Sequence, residues 1–109
     1  MNRIQLEDPR DYLEWRDGGG GTVEIFDIVV GSSRRNGIGR LMVSTLLDMV
    51  ANNHSPLTVV WAITRTENLI AQQFYESMNF EVIGVLRRFY SYEGDKVDAI
   101  VYGRPAIIP

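Results

Sequence analysis

Alternation between apolar and polar residues predicts strands in the first part of the chain. The segment DYLEWRD alternates with the period of two that is typical of a strand, and GGGG at 18–21 predicts the loop of a hairpin. TVEIFDIVV follows and is rich in β-branched and aromatic residues, which favour a mostly buried strand. The opening RIQLED indicates one more short strand. We therefore expect this part of the chain to form a small antiparallel sheet.

The apolar period changes to that of a helix at Ile38. Apolar residues then recur at i, i+3 and i+4 spacing, at Ile38, Leu41, Met42, Leu46, Met49 and Val50. The helix should end at NNHSP, because Pro56 cannot continue it. His54 is interpreted as a turn residue at this end.

A second helix is predicted over TRTENLIAQQFYESMNF. Thr64 and Glu67 have the spacing of a capping box, and the apolar face is expected to carry Ile70, Phe74 and Met78. The helix should end at Asn79, since asparagine tolerates the left-handed conformation.

Strands complete the rest of the chain. LTVVWAI lies between the helices, and FEVIGVLRRFYSY and VDAIVYGR flank EGDK as a hairpin. The order β-β-(β)-α-β-α-β-β places helices between strands that should run parallel, whereas hairpins are antiparallel. The predicted fold class is α+β: a mixed, mostly antiparallel sheet with two main helices packed on its faces, in a single domain over residues 1–109.

Composition narrows the classes of partner. The net charge of −3 argues against a general nucleic-acid binder. No apolar run approaches the ~20 residues that span a bilayer, and no signal peptide is recognised, so we expect no membrane partner. The chain has no cysteine, which excludes disulfides and cysteine-ligated zinc. We expect no metal site and a cytoplasmic location.

The segment GSSRRNGIGR at 31–40 separates the buried strand from the first helix. A helix start leaves backbone N–H groups without partners, and glycine lets a ligand approach them closely. Arginines 34, 35 and 40 add positive charge, so the bend is suited to a diphosphate. The dinucleotide pattern would need glycine where Met42 stands, and the Walker lysine is absent.

Two motifs resemble those of the GCN5-related N-acetyltransferase (GNAT) superfamily. RRNGIG at 34–39 is similar to the family's Arg/Gln-x-x-Gly-x-Gly/Ala motif at the same strand-to-helix junction. ENLIAQQFYESMNFEVIG at 67–84 is similar to its N-x-x-A-x-x-x-Y-e-x-x-G-F segment, and the residues in matching positions are Asn68, Ala71, Tyr75 and Phe80. The closing RRFYSYEGDKVDAIVYGR resembles the hairpin of ribosomal-protein alanine acetyltransferase-like members. The likeness covers roughly residues 12–104.

The chain departs from the family pattern at three places. We expect the family's N-terminal strand and pair of helices, which commonly shape the acceptor site, to be missing or reduced, with residues 1–11 as a vestigial N-terminal segment. Asn79 replaces the usual glycine. Ile63 occupies the position of the base that alanine acetyltransferases carry, which argues against that specific activity.

The resemblance implies acetyl-CoA as the acyl donor and assigns residues to it. Backbone groups of Ile28, Val29 and Val30 would pair with the pantetheine arm, and a backbone N–H near Val29 would polarise the thioester carbonyl. Asn68 either contacts the cofactor or caps the second helix. The pyrophosphate would lie at Arg34, Arg35, Asn36, Gly37, Ile38, Gly39 and Arg40.

Two residues are candidates for catalysis by the same resemblance. Tyr75 would lie near the CoA sulfur and, with a phenol pKa near 10 against about 8.5 for a thiol, would act mainly by hydrogen bonding. The alternative is a packing tyrosine. Glu24 matches the catalytic glutamate of the histone acetyltransferases and is the candidate base, with a strand-edge carboxylate as the alternative. Asp27 should face the opposite side of an ideal strand unless a bulge intervenes.

The implied function is transfer of an acetyl group to a primary amine by direct attack in a ternary complex. The acceptor is a small-molecule or peptide amine. The seven acidic residues among the first 27 are either solvated strand edges or a wall that attracts a cation. An acyl-CoA-binding sensor or assembly module without turnover is the alternative, and an interaction protein without cofactor is a third. We expect a homodimer, because exposed sheet edges tend to be paired.

Overall fold

Six strands and two helices account for the residues that the structure, a computed structural model, describes, namely 1–32 and 37–109. Each element begins and ends close to where the apolar pattern changes period. The elements, in chain order, are β1 Asn2–Gln5, β2 Asp11–Gly19, β3 Thr22–Val30, α1 Ile38–Asn53, β4 Val59–Arg65, α2 Leu69–Ser77, β5 Glu81–Tyr92 and β6 Asp95–Pro105. Neither helix is long and apolar enough, in this described part of the chain, to cross a bilayer.

The strands form one mixed sheet in the order β1-β2-β3-β4-β6-β5. β3 and β4 are parallel, and the other neighbouring pairs are antiparallel. Because β4 and β5 both run antiparallel to β6, α2 also connects two parallel strands. Both helical connections advance in the same direction across the sheet, so right-handed crossovers place α1 and α2 on the same face.

The core lies between this face and the helices. Ile25, Ala62 and Tyr102 are in register on neighbouring strands, and all three are buried. Helix α1 packs Met42 and Leu46 into the same cluster, and α2 adds Tyr75, whose ring stacks on that of Tyr102 at 5.7 Å. One continuous core therefore joins the helices to the centre of the sheet.

The two predicted helices pack on one and the same face of the sheet. Trp61 and Ile63 alternate with the buried residues of β4, so they face the side opposite the helices, where Arg16 pairs with Glu24. Neither described helix covers this side. We call it the open face.

Both helices were predicted correctly, but some of the residues predicted for their buried faces are exposed. Leu41 is 53% exposed, whereas Val43 and Leu47 are buried, because the buried stripe of α1 runs beside the predicted one. In α2, Ile70 is 82% exposed and Tyr75 is buried instead. The 3.6-residue period alone does not fix which edge of an apolar stripe meets the sheet.

The predicted capping box of the second helix is wrong. Thr64 lies buried in β4, and the helix begins five residues later, at Leu69. Asn68 is its N-cap, because its side-chain oxygen accepts a hydrogen bond from the backbone N–H of Ala71 at 3.1 Å. Strand pairing with β6 holds Thr64 extended and overrides the local helix signal.

Other predicted boundaries are confirmed. The glycine hairpin joins β2 and β3, and the short strand β1 is present. Asn79 has φ 64°, the left-handed conformation expected after α2. His54 is the C-cap of α1, and its backbone N–H donates to the carbonyl of Val50. Local turn chemistry was sufficient to predict these points.

Candidate active site

The parallel strands β3 and β4 diverge at the centre of the sheet. They pair only over Val23–Ile25 and Val60–Ala62, and the ladder stops there although both strands continue. Residues 26–30 and 63–65 therefore face each other without strand pairing. Backbone N–H and C=O groups on such an edge can bind an extended ligand as though it were an added strand.

A cavity of about 370 Å³ opens where the strands separate. Its wall is formed by residues of β3, β4, the start of α1, and α2 with its N-cap. The lining residues are Ile25, Phe26, Asp27, Ile28, Val30, Gly39, Ile63, Thr64, Asn68, Ile70, Ala71, Phe74 and Tyr75. Thr64 and Tyr75 lie on the helix side of the sheet and Ile63 on the open face, so the cavity reaches both sides.

A β-bulge in β3 lies beside the point of divergence. Trp15 of β2 is opposite Ile25, and the preceding Glu14 is opposite Asp27, so Phe26 is the extra residue. An extra residue reverses the alternation of side chains that follow it. Glu24 and Asp27 therefore face the same side of the sheet, whereas an unbulged strand would place them on opposite sides.

The two carboxylates have different surroundings. Glu24 is 8% exposed and accepts a hydrogen bond from Nε of Arg16 at 2.8 Å, and it is not among the residues that line the cavity. Asp27 is exposed and does line it. The carboxylate that the divergent strands present to a ligand is thus Asp27. Glu24 is held by an arginine of the neighbouring strand.

Tyr75 places a phenol at the cavity wall. Its ring is buried among Phe74, Phe80 and Tyr102, with centroid distances of 5.5, 5.3 and 5.7 Å. Its hydroxyl makes no hydrogen bond to another described residue. Burial, with a further contribution from the charge of Asp27, raises the pKa of Tyr75. The phenol is therefore neutral at physiological pH and can donate a hydrogen bond to a ligand atom.

Tyr102 provides a prediction about alkaline pH. Burial, and secondarily the hydrogen bond that its hydroxyl donates to Oε2 of Glu76 at 2.8 Å, raises its pKa to about 12. An unfolded tyrosine titrates near 10. The stabilising contribution is complete below about pH 10 and is lost as the pH rises through about 12. Urea denaturation across this range should show falling stability, and a smaller fall for Tyr102→Phe.

The segment before α1 is fixed at its beginning by buried contacts. Asp11 is fully buried, and its Oδ1 accepts a hydrogen bond from the backbone N–H of Ser32 at 3.0 Å, which lowers the pKa of Asp11. Gly31 lies so close to Arg10 that an added Cβ would approach the Arg10 Cβ to 2.7 Å. The chain therefore leaves β3 along one defined path.

The start of α1 has the backbone geometry that the glycine motif predicted. Gly37 is the N-cap with φ 75°, and at Gly39 an added Cβ would lie 3.2 Å from the Phe74 ring. Ile38 is buried in the core, and Nη2 of Arg40 donates to Oγ of Ser77 at 3.2 Å. The predicted cofactor residues Arg34, Arg35 and Asn36 lie outside the described residues.

The remaining predicted cofactor residues fall into two groups. Ile28, Val30 and Asn68 line the cavity, whereas Val29 does not. Asn68 caps α2 as well, so the two alternatives that its motif left open are compatible. No group of three or more His, Cys, Asp or Glu side chains that could hold a metal ion occurs in residues 1–32 and 37–109.

Several cavity residues were missed by sequence reasoning. Phe26, Thr64 and Ala71 line the cavity without having been assigned to it, and Ile70 and Phe74 were assigned to a packing face. The spacing of Ala71 from Tyr75, one helical turn, was the available signal for α2. No sequence signal marks the bulge at Phe26.

Comparison with known proteins agrees with this geometry. A model of the acetyltransferase (GNAT) family matches residues 5–80. Among curated protein sequences, none matches the chain significantly.

Solved structures share the fold at low sequence identity. The ribosomal-protein-S18-alanine N-acetyltransferase from Escherichia coli has 22% identity and a TM-score of 0.77, with 97% of this chain and 67% of that chain covered. Salmonella typhimurium yncA, solved with its cofactor acetyl-CoA, has 19% identity and a TM-score of 0.76, covering 92% and 60%. Arabidopsis thaliana NAA60, in complex with a bisubstrate analogue, has 19% identity and a TM-score of 0.75, covering 88% and 64%.

This chain thus spans 60% to 67% of the length of those three structures. At such identities the likeness establishes the fold. The family model, in contrast, covers well over half of the chain and includes the glycine motif and Tyr75. The chain belongs to the acetyltransferase (GNAT) family.

Proposed function

We propose that the protein is an N-acetyltransferase that moves an acetyl group from acetyl-CoA to a primary amine by direct attack in a ternary complex. The observation that carries this proposal is the divergence of β3 and β4 around the Tyr75 hydroxyl. A single opening gives a thioester and an amine access to each other from the two sides of the sheet.

The described residues fit a pantetheine arm. Ile28 and Val30 line the cavity on the unpaired edge of β3, where backbone amides can pair with the two amides of the arm. Because Gly39 has no side chain, α1 packs closely against Phe74 of α2 at the wall of the cavity. Arg34–Arg40 remain the proposed pyrophosphate site, because RRNGIG at 34–39 resembles the motif of the GNAT family at this junction.

The chain's own groups supply binding and charge stabilisation. Bound acetyl-CoA supplies an activated acetyl thioester. A backbone N–H near Val29 is proposed to donate to the carbonyl oxygen as negative charge develops on it, a contact worth about 3 kcal/mol when preorganised. The Tyr75 hydroxyl donates a hydrogen bond to the departing sulfur, and its raised pKa favours donation without loss of the proton.

The proposal is tested by measuring cofactor binding and turnover separately. Calorimetry with coenzyme A should show saturable binding. Free thiol should then appear from acetyl-CoA when a panel of primary amines is added, at a rate that depends on the amine. Binding of coenzyme A without amine-dependent thiol release would favour the sensor or assembly module, and absence of binding would contradict both.

A homodimer and a cytoplasmic location stay predictions. Light scattering that shows a monomer at working concentration would contradict the first.

A further inference from the structure

The cavity wall carries one formal charge among its described residues. Asp27 is that charge, and the other lining residues are apolar or uncharged. A carboxylate in an otherwise uncharged wall creates a negative potential, which is focused by the low-dielectric surroundings. Arg16 lies over the Phe26 ring at 4.4 Å, but it is ion-paired with Glu24, so Asp27 leaves this wall with a net negative charge that attracts a cation.

The side chain of Asp27 makes no hydrogen bond or ion pair with another described residue. Neighbouring acidic residues on the same sheet differ: Glu14 is bonded to Arg3 and Glu24 to Arg16, each at 2.8 Å. The charges of these two carboxylates are balanced within the protein. Asp27 alone of the three presents its charge to the cavity.

The bulge places Asp27 where an acceptor would meet the thioester. With Phe26 as the extra residue, Asp27 faces the open face beside the gap between β3 and β4. Asp27 and Tyr75 line the same cavity. A cation bound at Asp27 therefore lies in the cavity that also holds Tyr75, the residue proposed to contact the departing sulfur.

We propose that Asp27 binds the protonated amino group of the acceptor, so that the substrates are primary aliphatic amines that are cationic at neutral pH. This inference rests on the proposed acetyl transfer. Approach is from the open face, which no described helix covers. Ile63, on the same side of the cavity, contacts the carbon atoms next to the ammonium.

Asp27 binds the acceptor but does not keep its proton. An aliphatic ammonium has a pKa of about 8 to 10.4, so it is mostly protonated at neutral pH and must lose a proton before its nitrogen can attack. The ammonium loses one proton to water. The nitrogen then bonds to the acetyl carbon and the carbon–sulfur bond breaks. The nitrogen, now positively charged, releases its second proton to solvent. The departing thiolate takes up one proton from solvent. Asp27 stabilises the positive charge on the nitrogen until that proton is lost.

The test compares a cationic acceptor with an uncharged one. The value of kcat/KM is measured for n-butylamine and for aniline with the wild type, with Asp27→Asn and with the control Asp17→Asn. Asp17 is also an exposed aspartate without an ion pair among described residues, but it lies on β2 outside this cavity. We expect Asp27→Asn to lower kcat/KM for n-butylamine about tenfold, the effect of losing one charge-assisted hydrogen bond, with aniline nearly unchanged. Equal losses for both acceptors, or none, would overturn the inference.

A binding measurement tests the subsite independently of turnover. Saturation-transfer NMR on the protein saturated with coenzyme A should detect n-butylammonium with the wild type and Asp17→Asn, and a much weaker signal with Asp27→Asn. n-Butanol should not distinguish the variants. If Asp27→Asn binds the ammonium as the wild type does, Asp27 is not its site. A positive result without any thiol release would retain the subsite and reject acetyl transfer.

Discussion

Replacing Leu46 with alanine lowers the free energy of unfolding by about 3 kcal/mol, within the range for a leucine removed from a rigid core. Leu46 is completely buried, and its side chain belongs to the cluster that joins α1 to the sheet. The loss combines the transfer energy of the removed methyl groups with the cost of the cavity that remains. Urea denaturation, with an unchanged dependence on urea, measures it.

Leu41→Ala is the matched control. Leu41 is on the same helix and the substitution is identical, but its side chain is 53% exposed. We expect a loss below about 1 kcal/mol. Similar losses in the free energy of unfolding for both variants would contradict the orientation of α1, in which Leu46 is buried and Leu41 is exposed.

Replacing Tyr75 with phenylalanine lowers kcat about 10- to 100-fold while coenzyme A still binds. The change removes only the hydroxyl of a residue that lines the cavity, and a hydrogen bond to a charged group is worth about 1.5 to 3 kcal/mol. The ring packing against Phe80 and Tyr102 is retained. Because the hydroxyl has no described partner, the variant should be at least as stable as the wild type.

Tyr102→Phe provides the control for this measurement. Tyr102 belongs to the same aromatic cluster, but its hydroxyl donates to Glu76 and does not line the cavity. We expect it to lose about 1 kcal/mol of stability and to keep its kcat. If Tyr75→Phe retains full kcat with the best amine, the hydroxyl has no role in the transfer and Tyr75 is a packing residue.

The predicted residues differ in how far local chemistry determines them. Asn79 and His54 were placed correctly because a helix end depends on the residues within one turn of it. The N-terminus of α2 was misplaced because Thr64 is paired across the sheet with Ile100, far along the chain. A local capping signal was overridden by strand pairing.

The candidate site shows the same division. The glycine motif and Tyr75 were identified by their resemblance to motifs of the GNAT family, and the structure places Gly39 and Tyr75 at one cavity. Glu24 was chosen as the candidate base because it matches the catalytic glutamate of the histone acetyltransferases. In the structure Glu24 is paired with Arg16, and the bulge at Phe26 turns Asp27 to the same side of the sheet, where it lines the cavity. That Glu24 is the base, acting directly or through water, stays a prediction.

By itself, the sequence determined the kinds of elements, their order and the motifs that mark the strand-to-helix junction, since each depends on residues close together in the chain. The tertiary structure decided which sheet face the helices cover, where β3 and β4 separate, and which carboxylate meets the cavity. Those features follow from registers between distant strands. A one-residue bulge reverses every later side chain in its strand, and the pairing that produces it has no local signature.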